Sequence, residues 1–504
     1  MPLEVNLNLL GDEFIDRARV TPDHRFLYPS DTEITTGDLL SLVYHHQDMI
    51  RPMFDMEYKY YVGKHPILDQ PRKAPYKPDN RIIINFPRKA ITSFNGFFAG
   101  TPVKIDHEDQ STDDWIQKWE NRVNFEDVFS QVSKMSSMYG HAFFYVYQDD
   151  ELDANEKNQT LIAPLSPMNT FLIYDDTLSE KVRYGVMYRY NSDHRLEITL
   201  FEPDYKRVLV ESKNLSGDLF EQQVAYANPY PMIPIIEAPE NSERLALCQD
   251  VFNLVDAQNR AMSEKANTSD YFADAYLMFK NAHVNPDDVE EMQTNRNIIV
   301  EGEQAANADV EFLAKPDADA TGEHLIDRLV DYLYQMTNVT NLNDDAFGGD
   351  VTGVALQLKF QAMADMAHDK ALKFRTALRD IFRCVLAVNV DVRGADIDEL
   401  KFKFVQNIPH NLTEEANFLS TAYGKLPTTL VYQQLSFVDD PEQAYKDLRT
   451  EQKEMAGDTS NIMQQATRSK QAAPKDQKGG VNNSDAGAGA KTDKPVNTPR
   501  QPTR

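Results

Sequence analysis

Cysteine is nearly absent from this chain: Cys248 and Cys384 are the only two among 504 residues. That excludes a disulfide framework, suits a reducing compartment, and leaves two buried free thiols as the expected state. Long apolar runs are missing too. No stretch approaches the ~18 apolar residues that a membrane span requires, and Met1 to Leu10 carry no basic stretch followed by an apolar core. The expectation is a chain that is cytosolic when made and has no membrane partner. Basic charge is also in short supply. The 52 Lys and Arg stand against 79 Asp and Glu, a net charge of −27, which opposes high-affinity duplex DNA binding through counterion release. Any contact with DNA is expected to be weak.

Catalytic signatures are absent as well. There is no Gly-rich loop ending in Gly-Lys-Ser or Gly-Lys-Thr, which argues against a motor ATPase, and no GxGxxG, HExxH or GxSxG. The 11 histidines form no ligand spacing, and the adjacent His45 and His46 point to different sides of a helix. The cluster Asn343, Asp344, Asp345 and Asp350 lacks the alternating ligands and terminal Glu of a calcium loop, so a flexible acidic loop is the better reading. No catalytic residue, metal or cofactor is expected.

What is present is a long chain with 41% hydrophobic residues, enough for more than one core. Leu39, Leu40, Val43, Tyr44 and Ile50 recur at helical spacing and predict a helix to about Arg51, interrupted by Pro52. The aromatic stretch Tyr58 to Val62, then Gly63, Pro66, Pro71, Pro75 and Pro78, reads as an extended arm. Ile91, Phe94, Phe97 and Phe98 predict a helix after Pro87. Asp113 and Asp114 suit a helix start before Trp115 and Trp119, and Asn124 is a candidate cap for a helix with Val128, Val132 and Met135, ended by Gly140.

The period then changes. Val182, Tyr184, Val186, Tyr188 and Tyr190 alternate, as do Leu196, Ile198 and Leu200, predicting an antiparallel sheet between Ala142 and Val210, with Asp149 to Asn158 looping out. Asn241 or Ser242 is a candidate cap for a helix with Leu245, Leu247, Val251, Leu254, Val255 and Met262, running to about Phe272. Residues 273–316 read as a small mixed insertion, with strands at Ala275 to Phe279 and Asn297 to Val300 and a helix near Asp287 to Met292. A second helix from about Ala320 puts Leu325, Leu329, Tyr332 and Met336 on one stripe beside Ile326, Val330 and Leu333, a face broad enough for contacts on two sides.

Asn338 to Gly353 is polar and Gly-containing and reads as a mobile loop. From Val354 to Arg393 there is neither Gly nor Pro, which predicts one long helix packed through Leu356, Phe360, Met363, Ala367, Ala371, Phe374, Leu378, Ile381 and Val385 and stopped by Gly394. A strand at Leu400 to Val405 and helices at Thr413 to Ala422 and Pro441 to Met455 follow, the first capped by Thr413. Residues 468–504 are polar, carry a net charge of +5 that leaves the remainder at −32, and are expected to be disordered.

Several segments, in this order, resemble portal proteins of tailed double-stranded DNA bacteriophages, in the siphophage-type branch common among phages of Gram-positive hosts. They are Tyr60-Tyr61-Val62-Gly63-Lys64-His65-Pro66-Ile67-Leu68, then Asn80-Arg81-Ile82, Gly100-Thr101-Pro102-Val103, Ile233-Pro234-Ile235-Ile236, Pro239-Glu240-Asn241, Asp256-Ala257-Gln258-Asn259 and Thr352-Gly353-Val354-Ala355-Leu356. They span about residues 37 to 405.

The resemblance implies an α+β portal fold. Its parts would be a wing of helices and antiparallel sheet (1–241), stem helices at 242–272 and 320–337, a small α/β clip (273–319), a tunnel loop (338–353), a long tunnel helix (354–394), a helical crown (395–467) and the basic tail. It implies a homo-oligomeric ring of about twelve subunits, or thirteen when isolated, at one capsid vertex of the virion, assembled in the host cytoplasm. Implied partners are duplex DNA in transit, the terminase large subunit, a head-completion adaptor, and the major capsid and scaffolding proteins. The implied tunnel-loop residues are Asn341, Asp344, Phe347, Gly348, Gly349 and Gly353. Lys359, Lys370 and Lys373 are candidate phosphate contacts, with solvated or intersubunit salt-bridging roles favoured for each. Asp287, Asp288, Glu290, Glu291 and Arg296 would line the clip docking surface. Two alternatives remain at this point: another ring-forming virion protein, and a metal-dependent nuclease using Asp344, Asp345 and Asp350.

Overall fold

The computed structural model describes residues 12–75, 77–152, 158–212, 220–273, 277–280, 309–312, 319–341, 353–406, 412–432, 435, 438, 441 and 443–453. The chain divides into two compact units, Met1–Pro409 and His410–Arg504.

The first unit opens with three short strands, β1 (Glu13–Ile15), β2 (Ala18–Val20) and β3 (Phe26–Tyr28). Helix α1 (Thr36–His45) starts at a capping box in which Thr35 and Asp38 satisfy each other's backbone N–H groups. It passes through a π-turn at His46–Ile50 straight into α2 (Arg51–Tyr61). The Arg51 N–H reaches back to the His46 carbonyl, and this widened turn leaves Pro52 at the start of α2, where its missing N–H breaks no α-helical bond. Pro52 therefore does not end the helical run. Nor is Tyr58 to Val62 an extended arm: it is helical through Tyr61, and Tyr60 is buried, stacked on Phe252 at 4.1 Å between ring centroids.

Helix α3 (Phe86–Phe98) carries Pro87 in its first turn, and β4 (Lys104–Asp106) follows. Helices α4 (Gln110–Val123) and α5 (Phe125–Tyr139) come next. The start of α4 is capped by Asp109, so Asp113 falls in its first turn. Asn124 sits between the two helices at φ 51, in the left-handed region that asparagine tolerates, and its side chain makes no capping bond. Gly140 closes α5 at φ +81.

Strands β5 (His141–Leu152), β6 (Asn158–Leu165), β7 (Thr170–Asp175), β8 (Val182–Tyr190), β9 (Leu196–Phe201), β10 (Tyr205–Glu211), β11 (Phe220–Ala227) and β12 (Ile235–Pro239) build two sheets. The larger has order β1-β2-β3-β7-β8-β9-β10-β11, antiparallel except for the parallel β3–β7 pair, and the smaller has order β12-β5-β6. The expected loop from Asp149 is instead strand through Leu152, because β5 and β6 pair across Asp149↔Gln159 and Leu152↔Asn158.

Alternation assigns each strand two faces. Phe26, Tyr28, Phe171, Ile173 and Phe144 join a core shared with the helices, whereas Leu27, Leu172, Tyr174, Phe143 and Ile235 form a second, smaller core. Close approach requires Gly185, where an added Cβ would lie 3.0 Å from Ile233 and 3.1 Å from Ile235. Tyr190, at the end of β8, is exposed, so the predicted alternation stops one step short of it.

A 3-10 turn at Gln249–Val251 leads into α6 (Phe252–Ala273), later than the predicted start. Residues 241–248 are held otherwise: the Asn241 side chain bonds both the N–H and the carbonyl of Leu245, and Arg244 takes φ 56. Strands β13 (Leu277–Lys280) and β14 (Asp309–Phe312) pair antiparallel. The first agrees with the strand expected there, whereas the expected strand at Asn297 to Val300 and helix near Asp287 lie outside the described residues. Helix α7 (Asp319–Thr337) and the long helix α8 (Gly353–Val388) follow. At 36 residues α8 spans about 54 Å. It ends at Val388, before a 3-10 turn at Val390–Val392 and Gly394 at φ +99. Strand β15 (Lys401–Lys403) pairs with β4, which ties residues expected in a terminal domain to the first unit.

In the second unit α9 (Leu412–Ala422) and α10 (Thr428–Tyr432) precede helical residues 443–453. Thr413 lies inside α9, not ahead of it. Residues 468–504 lie outside the described residues. Among the described residues no helix is long and apolar enough to cross a membrane. Cys248 and Cys384 are free and buried, as expected, and burial pushes the Cys384 thiol up to about 12.

Candidate functional site

Helices α6 and α7 form an antiparallel pair: Lys265, in the second half of α6, is ion-paired with Glu323 near the start of α7. The predicted stripe on α7 is split by the fold. Ile326, Leu329 and Leu333 are buried, while Leu325, Tyr332 and Met336 stay 53%, 51% and 61% exposed. The exposed three are seven and four residues apart, so they share one side of the helix.

A polar row on α6 is bonded to an extended segment ahead of α3. Asn259, Ser263 and Asn267 accept the backbone N–H groups of Ile84, Ile82 and Asn80 at 2.8, 2.9 and 2.6 Å. Four helical residues rise about 6 Å, and two extended residues about 6.6 Å, so the two spacings match over three rungs. Asn259 also sets its amide nitrogen 2.7 Å from His65 Nδ1, and His65 Nε2 lies 3.1 Å from the Tyr60 carbonyl oxygen. The carbonyl can only accept, so Nε2 carries the proton and Nδ1 accepts from Asn259. Tyr60 donates to Asp256 at 2.8 Å, and Lys73 pairs with Glu264 at 2.7 Å. The Tyr60–Leu68, Asn80–Ile82 and Asp256–Asn259 segments, far apart in sequence, thus meet at one helix. A polar residue every fourth position on α6 is the sequence signal for this ladder.

The long helix contains the largest departure from the sequence reading. Lys370 is fully buried, so it is neither a phosphate contact nor a solvated charge. Its Nζ lies 2.7 Å from Glu240 Oε2 and donates to the Ser133 carbonyl at 2.9 Å and Ser137 Oγ at 2.8 Å, over the faces of Phe94, Phe98 and Phe374. Burial pulls its pKa below the ordinary lysine value, and Glu240 opposes that pull. Ser136 and Ser137 donate to the Glu240 carboxylate at 3.0 and 3.1 Å. Pairing and hydrogen bonding of both partners is what allows two charges to be buried in an aromatic core.

The other predicted positions are spread out. Lys359 is half-buried, and Lys373 is half-buried beside Thr376, Ala377 and Asp380 in the cleft between α8 and strands β7, β8 and β12. Asn341 is half-buried, and Gly353 is the first residue of α8 rather than part of a loop. Asp344, Asp345, Phe347, Gly348, Gly349 and Asp350 lie outside the described residues, as do Asp287, Asp288, Glu290, Glu291 and Arg296. Among the described residues no group of His, Cys, Asp and Glu is arranged to hold a metal ion.

Comparison with known proteins gives one family. The model of the phage portal protein family, SPP1 Gp6-like, matches residues 40–458. No curated protein matches the chain. Among solved structures, a chain from the neck of an empty GTA particle computed with C6 symmetry is similar at 11% identity and a TM-score of 0.41, covering 75% of this chain and 91% of that one. A likeness that distant carries no further weight.

Proposed function

The chain belongs to the SPP1 Gp6-like phage portal family, a family of structural virion components, and on that premise we propose that its subunits close into a ring at one capsid vertex, the channel for genome packaging and ejection. The observation that carries the ring is the two-sided apolar face of α7. Leu325, Tyr332 and Met336 remain exposed on a subunit whose own core is already served by Ile326, Leu329 and Leu333. A second copy of the chain is the occupant that a closed ring supplies.

In this reading α6 and α7 are the stem, and residues 273–319 are the clip, which docks the terminase large subunit and later the head-completion adaptor through Asp287, Asp288, Glu290, Glu291 and Arg296. The wing precedes the stem, and the crown follows from about residue 395. The tunnel loop is 338–352, with Asn341, Asp344, Phe347, Gly348 and Gly349 responding to DNA as it passes. Lys359 and Lys373 remain candidate phosphate contacts. Weak contact suits transport: an acidic chain of net charge −27 keeps counterion release small, so DNA slides without being trapped.

The test is mass photometry of the purified protein with negative-stain class averages. A ring of about twelve or thirteen subunits around a channel is the expected result. A monomer at every salt and protein concentration would overturn the reading.

A further inference from the structure

The buried face of α8 repeats itself. On the row that contains Lys370, the buried residues above and below are Met363, Ala367, Phe374, Ala377, Ile381 and Cys384. Moved by one turn, this row still presents apolar side chains to the core. Packed helices in other proteins do jump by a whole turn between two stable arrangements. One position does not repeat: Lys370 is the single charged residue of the row. Its partner is not on the helix but at the end of β12, where the Glu240 N–H is bonded to the Gly140 carbonyl at 2.8 Å and its carboxylate is held by Ser136 and Ser137. A slip of one turn would set Ala367 or Phe374 opposite Glu240, stranding both charges in the core.

We infer that the Lys370–Glu240 pair is the register lock of the long helix: it selects one axial position of α8 against α5 and β12 where the apolar stripe alone admits more than one. The lock works by exclusion, because an unpaired buried charge is far costlier than a mismatched apolar contact. Lys370 is thus a positioning residue, acting through where it holds the helix. For the portal reading the consequence is concrete. The helix begins at Gly353, directly after the segment assigned to the tunnel loop, so its axial position sets how far that segment reaches. This consequence rests on the portal reading; the lock itself does not.

The experiment is a distance measurement by double electron–electron resonance. Spin labels are placed at Gln131→Cys on α5 and Arg379→Cys on α8, both exposed positions, in the full chain, with labelled subunits diluted into unlabelled ones. Cys248 and Cys384 are buried and stay unlabelled. With the native pair, one narrow distance is expected. In Lys370→Met/Glu240→Leu, which removes both charges and keeps the core apolar, a second population displaced by about 5 Å, one helical turn, is expected. A folded double variant with the single native distance overturns the lock. Should the double variant fail to fold, Lys370→Met/Glu240→Gln replaces it: both charges are removed, and the amide oxygen still accepts from Ser136 or Ser137. A single native distance in that variant overturns the proposal, and a second distance supports it. The distance reads the helix whether or not rings form, so failure of the lock and failure of the portal reading are separate outcomes.

Discussion

Asn259 and Ile84 are joined side chain to backbone, the Asn259 carboxamide oxygen accepting the Ile84 N–H at 2.8 Å while its nitrogen donates to His65. Asn259 is fully buried and Ile84 partly so. Asn259→Ala leaves an N–H and an imidazole nitrogen without partners away from water. We expect a loss of about 2 kcal/mol, read as a lower denaturant midpoint at unchanged slope. Ser263→Ala, which removes one rung, should cost about 1 kcal/mol. Equal and negligible effects of both would mean that the ladder holds nothing.

Gly140 is demanded twice over. Its φ is +81, and a Cβ there would lie 1.9 Å from the Arg244 carbonyl oxygen, a backbone atom that Arg244's ion pairs with Glu237 and Asp23 help hold in place. Gly140→Ala should destabilise by roughly 3 kcal/mol or more. Gly96→Ala is the control. Nothing lies within 4 Å of a Cβ there, and the residue is exposed within α3, so this variant should gain about 0.5–1 kcal/mol in thermal unfolding.

Local pattern was readable from the sequence, and partners distant in sequence were not. The stripe from Phe360 to Val385 on α8 is buried as its spacing predicts, and so are Leu196, Ile198 and Leu200 on β9. The continuation past Pro52 was invisible because a π-turn shifts which donor is missing, a detail that hydrophobic periodicity does not encode. The parallel seating of β3 against β7 was equally hidden, since it joins residues 26–28 to residues 173–175. The role of Lys370 is hidden for the same reason. A lysine on a helix is normally solvated, and the residue that reverses the expectation, Glu240, is supplied by the end of β12.

Glu57 makes the stability of this fold depend on pH. Its carboxyl is buried, has no hydrogen-bond partner among the described residues, and is pushed by burial from 4.5 up to about 8. With the folded value above the unfolded one, the stabilising contribution is complete below pH 4.5 and is lost as pH rises toward 8. Glu57→Gln has no proton to lose. It should be more stable than the parent by roughly 4 kcal/mol at pH 8 and nearly equal to it at pH 4.5. Denaturant midpoints of both proteins across that range are the measurement, and parallel curves would show that Glu57 ionises as freely folded as unfolded.

Helix α7 separates folding from assembly along a single turn. Leu333 is fully buried in the subunit core and Tyr332, its neighbour, is 51% exposed beside Met336. Leu333→Ala removes packing from inside the subunit and should cost about 2–5 kcal/mol in unfolding. Tyr332→Asp with Met336→Asp alters only the outer side, where surface substitutions ordinarily shift stability by about 0.5 kcal/mol or less. If that side meets a second copy of the chain, two carboxylates placed in an apolar contact must be desolvated for the ring to close, a cost the free subunit never meets. The expected result is a double variant with the parent's melting behaviour as a monomer and a mass distribution moved from rings to single subunits. Rings formed at parental concentrations by this variant would place the subunit contact elsewhere and leave the exposed stripe on α7 without a role in assembly.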